Sequence, residues 1–179
     1  MSLRIAFELD DDDLAHFRLI MTAARENLSR RAPEDIIAAA NDVLDKIRRP
    51  DVPGFIGTRL ERLERMIQMI SDLDWRMPHD DTQRVLNALA YFAEPDDLIP
   101  DQIPGLGFLD DAIMVELVVR ELEHEISAYQ DFCDYRDTLK KSDVSALAAR
   151  RDELLARMQE QRQRARQEND PAGQFRLLD

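Results

Sequence analysis

Apolar residues recur at spacings of three and four along most of this 179-residue chain, and prolines or glycines separate the runs. This spacing places the apolar side chains on one face of a helix, and the intervening residues end it. The chain has only five glycines and 6% aromatic residues, and this composition argues against a β-sandwich. We therefore predict an all-α fold, a compact bundle of about five to six helices.

Acidic residues and prolines mark where several of these helices begin. The cluster from Asp10 to Asp13 can cap the first helix, and Pro33 suits the first turn of the second. Thr58 with Glu61 forms a capping-box pattern ahead of the third helix. Its apolar positions have a coiled-coil-like spacing: Leu60, Leu63, Ile67 and Ile70. These signals predict three helices in the first half of the chain.

The second half contains three more predicted helices. Asp80 with Gln83 resembles another capping box, which opens a helix that Pro95 ends. A long helix is expected from about Asp110 to Lys140, and Ser142 is expected to cap the last one. The last helix has heptad-like apolar positions: Val144, Leu147, Leu154 and Met158. We expect it to dock against the body of the protein or against a partner chain.

The two ends of the chain differ from this helical pattern. Residues 3–9 alternate between apolar and other side chains, which predicts a short N-terminal strand, with residues 175–178 or a second copy as its partner. After Met158 the sequence turns polar, QEQRQRARQEN, so the end is expected to fray. We predict one helical domain over 1–141 and a C-terminal helix with a frayed tail over 142–179.

Charge and cysteine content limit the classes of partner. A formal net charge of −13 repels polyanions, so nucleic acid is not an expected partner, and association with an anionic membrane is disfavoured. No run of about 18 uncharged apolar residues predicts a spanning helix. A single cysteine, Cys133, and an N-terminus without signal-peptide order predict a cytoplasmic location.

The segment from Ala90 to Val119 is the most distinctive in the chain, because an apolar loop with four aspartates joins two helical runs. Prolines favour extended geometry at the residues before them, and the glycines allow turns or close packing. The backbone of the loop is shaped by Pro95, Pro100, Pro104, Gly105 and Gly107. The loop is expected to fold inward between the two helices.

These residues carry a family resemblance. The stretch AYFAEP, followed by DLIPDQIPGLGFLDDA, resembles the signature of the YkvA family, a bacterial domain of unknown function. The matching positions are Asp97, Pro100, Asp101, Pro104, Gly107, Asp110 and Asp111. The similarity covers a motif at about 85–120, and it implies a small helical domain without an assigned activity.

Two interpretations fit the four loop aspartates. Asp97, Asp101, Asp110 and Asp111 could converge on a hard cation such as Mg²⁺, Mn²⁺ or Ca²⁺, which prefers oxygen ligands. Alternatively, Asp110 and Asp111 cap a helix while Asp97 and Asp101 bond to the backbone of turns. We favour the structural interpretation and predict no cofactor, because capping carboxylates are commoner than metal sites.

Other polar residues also favour structural roles. Glu121 and His124 form one Glu-x-x-His pair, but a di-iron bundle needs two such pairs, so a solvated helix surface is expected. His79 lies at a helix start, where capping is expected, and Cys133 has no nearby histidine and is expected as a buried thiol. Trp75 is expected to anchor a core or an interface. Met66, Met69 and Met77 are expected to fill the core.

No sequence pattern here points to catalysis. A P-loop, a nucleophile elbow, a zinc-protease pair and a twin-cysteine motif are all missing from the sequence. We therefore expect a non-enzymatic interaction or regulatory module, acting on a protein partner or as a homo-oligomer through its heptad-like helices. The alternative is a divalent-metal-binding enzyme or sensor that uses the aspartate-rich loop.

Overall fold

The computed structural model describes residues 10–28, 31–47, 54–93, 109–139 and 143–168. These residues form seven α-helices and one short 3-10 turn, Tyr91–Ala93. The helices are α1 Asp11–Leu28, α2 Pro33–Ile47, α3 Gly54–Ser71, α4 His79–Leu89, α5 Leu109–Glu121, α6 Glu123–Thr138 and α7 Val144–Glu168. The all-α prediction is confirmed. The predicted strand and its proposed partner at 175–178 lie outside the described residues.

The predicted starts of the first two helices are confirmed. The Asp10 side chain accepts hydrogen bonds from the backbone N–H groups of Asp12, at 3.0 Å, and Asp13, at 2.9 Å. The Asp13 carboxylate in turn accepts the N–H of Asp10 at 3.2 Å. This reciprocal arrangement satisfies amides that have no partner inside the helix. Pro33 is the first residue of α2, where its missing N–H costs nothing.

The two capping boxes predicted for the third and fourth helices are wrong. Helix α3 begins at Gly54, so Thr58 lies inside it, where threonine and glutamate are also tolerated. Helix α4 begins at His79 after Pro78, and no side chain caps it, so Asp80 lies within its first turn. The Thr82 hydroxyl donates to the carbonyl of Pro78 at 3.0 Å, which satisfies a carbonyl and not a free N–H group.

The long helix predicted from Asp110 to Lys140 is bent into α5 and α6. Leu122, between them, has φ −100° and ψ 19°, outside helical values. Hydrogen bonding continues across the bend, because Leu122 N–H donates to Val118 and Ile126 N–H donates to Leu122, both at 2.9 Å. Because of this bend, the structure describes seven helices, whereas the sequence predicted about five to six.

Helix α3 lies at the centre of the packing. It contacts α2, α5 and α6, while α7 runs along α6. The largest fully buried side chains are Trp75, Phe132, Met21, Ile36, Leu63, Met66, Met69, Leu89, Met114 and Leu122. The prediction that methionines fill the core is confirmed for Met66 and Met69, while Met77 packs against the core only partly buried. Of the apolar rows of α3 and α7, Leu63, Ile67, Leu154 and Met158 are buried within the chain itself, Ile70 and Leu147 are partly buried, and Val144 is 70% exposed.

Asp72 organises the turn between α3 and α4. One carboxylate oxygen accepts the N–H groups of Asp74, at 2.9 Å, and Trp75, at 3.2 Å. The other accepts the Tyr129 hydroxyl at 2.9 Å and an Arg136 nitrogen at 2.8 Å. Burial alone would raise the pKa of Asp72, but these hydrogen bonds outweigh it and lower that pKa. The turn is thereby tied to α6.

We expect Asp72→Asn to lower the free energy of unfolding at pH 7 by about 2 kcal/mol, because charge-assisted bonds to Tyr129 and Arg136 are lost. The folded-state pKa of Asp72 is below its ordinary value of 3.8. Its contribution is therefore present above pH 3.8 and lost as the pH falls through the folded pKa.

Urea unfolding of the unchanged protein and of Asp72→Asn at several pH values measures the difference in their free energies of unfolding. This difference should become smaller in acid. Asp74→Asn is the matched control, since Asp74 is exposed and lies 3.6 Å from the same arginine. Equal losses from the two substitutions would contradict the role given to Asp72.

Candidate functional site

Two carboxylates are buried in the part of the chain that the structure describes. Asp81 is 2% exposed and Glu125 is 0% exposed. Taking a carboxylate out of water is costly unless cations or hydrogen-bond donors surround it. The surroundings of these two residues are therefore the most unusual chemistry in the described fold.

Three helices bring the carboxylates and their partners together. Asp81 lies in the first turn of α4 and Glu125 in the first turn of α6, where the positive end of each helix dipole favours negative charge. Arg84 follows Asp81 one turn later on α4, and Arg162 comes from the C-terminal half of α7. The site thus depends on the packing of three separate helices.

The carboxylates and arginines form one connected cluster. The Arg162 Nη1 atom donates to Glu125 Oε1 at 3.0 Å and also to Asp81 Oδ1. Arg84 Nε lies 3.2 Å from the same Glu125 oxygen, and Arg84 Nη2 lies 3.5 Å from Glu121 Oε1. Burial alone would lower the pKa of Arg162, but its hydrogen bonds raise that pKa, so the guanidinium stays charged.

The bend at Leu122 belongs to this cluster. Arg84 Nη2 donates to the backbone carbonyl of Glu121 at 3.3 Å, on the last residue of α5. A side-chain donor at this carbonyl supports a departure from regular helical geometry. The bend also separates Glu121 from the first turn of α6, which carries Glu125. Glu121 and Glu125 are four residues apart, the spacing that places side chains on one face of a helix, and Arg84 contacts both of them.

A polar groove lies beside the cluster, with a volume of about 410 Å³. It is lined by Asp80, Asp81, Gln83, Arg84, Asn87, Arg162 and Arg166. Gln83 donates to Asn87 at 3.2 Å along one wall. These side chains supply hydrogen-bond donors, acceptors and charges of both signs. This lining differs from the mostly apolar lining of small-molecule sites.

Most of the loop aspartates that the alternative interpretation assigns to a metal ion lie outside what the structure describes. Asp97 and Asp101 fall in residues 94–108, and only the backbone of Asp110 and Asp111 is described, in the first turn of α5. Pro95, Pro100, Pro104, Gly105 and Gly107 also lie within 94–108. Elsewhere in the described chain, no three His, Cys, Asp or Glu residues are grouped to hold a metal ion. The favoured capping interpretation of the loop aspartates and the alternative metal interpretation are both untested by the described residues.

The Glu-x-x-His pair does not lie on one regular helix. Glu121 ends α5 and His124 lies in the first turn of α6, on opposite sides of the bend. The expectation of a solvated surface is wrong for Glu121, whose side chain is only 13% exposed and pairs with Arg84. Cys133 is half-buried, and an Arg136 nitrogen lies 3.7 Å from its sulfur. His79 is exposed at the start of α4.

Asp81, Glu125 and Arg162 are not among the site residues predicted from the sequence, which missed the cluster. A signal was nevertheless present in the helical spacing. Glu125 shares a face with Ala128, Tyr129 and Phe132, and Arg162 continues the row of Leu154 and Met158. A charged residue in register with an apolar stripe therefore indicates a buried ion pair.

Part of this site lies in a segment of the chain that matches a known protein family. The model of a family described as "Protein of unknown function (DUF1232)" matches residues 84–117. A protein of Bacillus subtilis (strain 168) named "Uncharacterized membrane protein YkvA" is 34% identical over 77 residues, which cover 40% of this chain and 71% of that protein. No solved structure matches. Arg84 and Asn87 lie inside the matched segment, whereas Asp81, Glu125 and Arg162 lie outside it.

The name of this relative raises the question of a membrane segment. Within the five described ranges, none of the helices combines the length and apolar character needed to cross a bilayer. The predicted cytoplasmic location stays a prediction.

Proposed function

Since this chain belongs to the YkvA-like DUF1232 family, which is described as having no known function, we propose that it is a non-enzymatic interaction or regulatory module that uses the polar groove for recognition. The observation that carries the proposal is the attachment of Arg162 to two buried carboxylates. This contact fixes one wall of the groove, because the guanidinium cannot turn without losing its contacts with two buried carboxylates, of which Glu125 would keep only Arg84.

Two kinds of contact hold α7 to the rest of the chain. Leu154 and Met158 are fully buried against the core, whereas Arg162, one turn later, is attached by charge. A partner that competes for Arg162 or for its carboxylates would loosen the C-terminal half of α7 while the apolar contacts remain. The ionic contact therefore gives α7 a means of responding to a bound partner, which supports a regulatory role.

The groove is a better candidate for partner contact than the heptad-like rows. The homo-oligomer expectation depended on the apolar positions of the third and last helices. Leu63 and Ile67 on α3, and Leu154 and Met158 on α7, are buried within a single chain. Those side chains have little surface left to offer a second chain. We therefore propose that a protein partner or a second copy contacts the groove.

Affinity capture from the native cell tests this proposal with three baits: the unchanged protein, Arg162→Gln and Arg164→Gln. Arg164 is the matched control, because it is on the same helix, is 66% exposed and pairs with Glu160 of that helix. We expect Arg162→Gln to lose at least tenfold of a captured partner that Arg164→Gln retains. Light scattering of the same three proteins tests a second copy as that partner.

Arg166→Gln separates loss of recognition from loss of folding, because Arg166 lines the groove but is exposed. It should weaken capture while circular dichroism stays unchanged. Equal capture by all four baits, with no change in oligomeric state, would contradict the proposal.

A further inference from the structure

We infer that the last turns of α7, residues 159–168, form an ionic latch that opens and closes one side of the groove. When the latch is closed, it brings Arg162 and Arg166 to the groove. When it is open, only the side formed by α4 remains. This inference rests on the proposed recognition role of the groove and adds a means of regulating it.

The latch has almost no apolar side chain with which to pack against the rest of the chain. Its sequence is QEQRQRARQE, in which Ala165 is the only apolar residue. None of the side chains described at 159–167 is buried, whereas Leu154 and Met158 in the preceding turns are 0% exposed. Most of the stability of a helix in a protein comes from packing an apolar face. The apolar anchoring of α7 therefore ends at Met158.

Charge holds the latch in place. Arg162 Nη1 donates to Glu125 Oε1 at 3.0 Å and also to Asp81 Oδ1, so it joins α7 to both α6 and α4. The Arg162 side chain is 22% exposed, so salt can partly screen this attachment. Arg164 pairs with Glu160 inside the latch, which supports the helix without attaching it to another element.

The buried carboxylates keep some compensation when the latch opens. Glu125 keeps Arg84, whose Nε atom lies 3.2 Å from Glu125 Oε1. Asp81 and Glu125 each lie in the first turn of a helix, where the positive end of the dipole favours negative charge. Opening also admits water to the place that Arg162 occupied. It therefore costs less than removing the arginine while α7 stays docked.

Opening separates the two sides of the groove. Five of its seven lining residues belong to α4, and the other two, Arg162 and Arg166, belong to the latch. Helix α7 contains no glycine or proline at which it could bend, so the latch opens by unwinding from its C-terminal end. The fraction of closed molecules then sets the apparent affinity for a partner that contacts both sides.

Hydrogen–deuterium exchange of the full chain, measured by mass spectrometry, tests the inference, with residues 150–158 of the same helix as the internal reference. Raising KCl from about 50 mM to about 500 mM should speed exchange of the latch at least twofold relative to this reference. Arg162→Gln should speed it at least tenfold relative to the reference. Arg164→Gln is the matched control and should change it less than threefold, because its ion pair lies within the latch.

Asp81→Asn tests the latch from the other side of the groove, because Asp81 lies on α4, 81 residues before Arg162. The substitution keeps the shape of the side chain and removes its charge, and circular dichroism checks that the fold is kept. It should speed exchange of the latch at least fivefold relative to the reference.

Unchanged exchange of the latch in Arg162→Gln and Asp81→Asn would overturn the inference, as would equal acceleration of the latch and the reference. Loss of a captured partner by Arg162→Gln without faster exchange of the latch would overturn this inference alone. Faster exchange with equal capture by every bait and no change in oligomeric state would overturn the proposed recognition role instead.

Discussion

Replacing Glu125 with glutamine is expected to lower the free energy of unfolding by about 3 kcal/mol, because breaking a buried ion pair leaves uncompensated charge. Glu125 is 0% exposed and faces two guanidinium groups, those of Arg84 and Arg162. The glutamine side chain has nearly the same shape, so the loss reports charge and hydrogen bonding rather than packing. Urea unfolding followed by circular dichroism measures it.

Glu123→Gln is the matched control for this prediction. Glu123 lies in the same first turn of α6 and is exposed, so the same change of charge should alter stability by no more than about 0.5 kcal/mol. Combining Glu125→Gln with Arg162→Gln should cost less than the sum of the two single losses, because the second substitution removes a charge that the first left unpaired. Additive losses would show that the two residues do not interact.

Replacing Trp75 with alanine is expected to lower the free energy of unfolding by about 4 kcal/mol, through lost apolar contact and the cavity left behind. Trp75 is 0% exposed, and its ring centroid lies 5.1 Å from that of Phe132 and 5.7 Å from that of Tyr129. It joins the turn after α3 to α6. The same unfolding measurement reports the loss.

Leu73→Ala is the control, because Leu73 lies two residues away in the same turn and is 85% exposed. Its substitution should change stability by no more than about 0.5 kcal/mol. A loss from Trp75→Ala as small as that would mean that the aromatic cluster does not hold the turn against α6. A large loss from Leu73→Ala would point instead to the turn backbone.

Local sequence chemistry predicted the helices well where one residue type decides the outcome. Asp10 acts through its carboxylate, which accepts N–H groups two and three residues later, and Pro33 acts through its ring. The starts of α1 and α2 could therefore be predicted without knowing the fold. Apolar spacing likewise predicted that Leu63 and Ile67 are buried. The capping boxes failed at Thr58 and Asp80, because the same residue types are compatible with a helix interior.

The candidate site was less predictable, because its residues act across long sequence separations. Arg162 is 81 residues from Asp81 and 37 from Glu125, so no local pattern pairs them. The bend at Leu122 is likewise accompanied by a contact from Arg84, 37 residues before Glu121. Helical structure, acidity and the YkvA resemblance could be predicted without the fold, because periodicity, charge and the loop motif can be identified along the chain. Which charges are buried together depends on how the helices pack, since a charged side chain leaves water only when distant helices supply its partner.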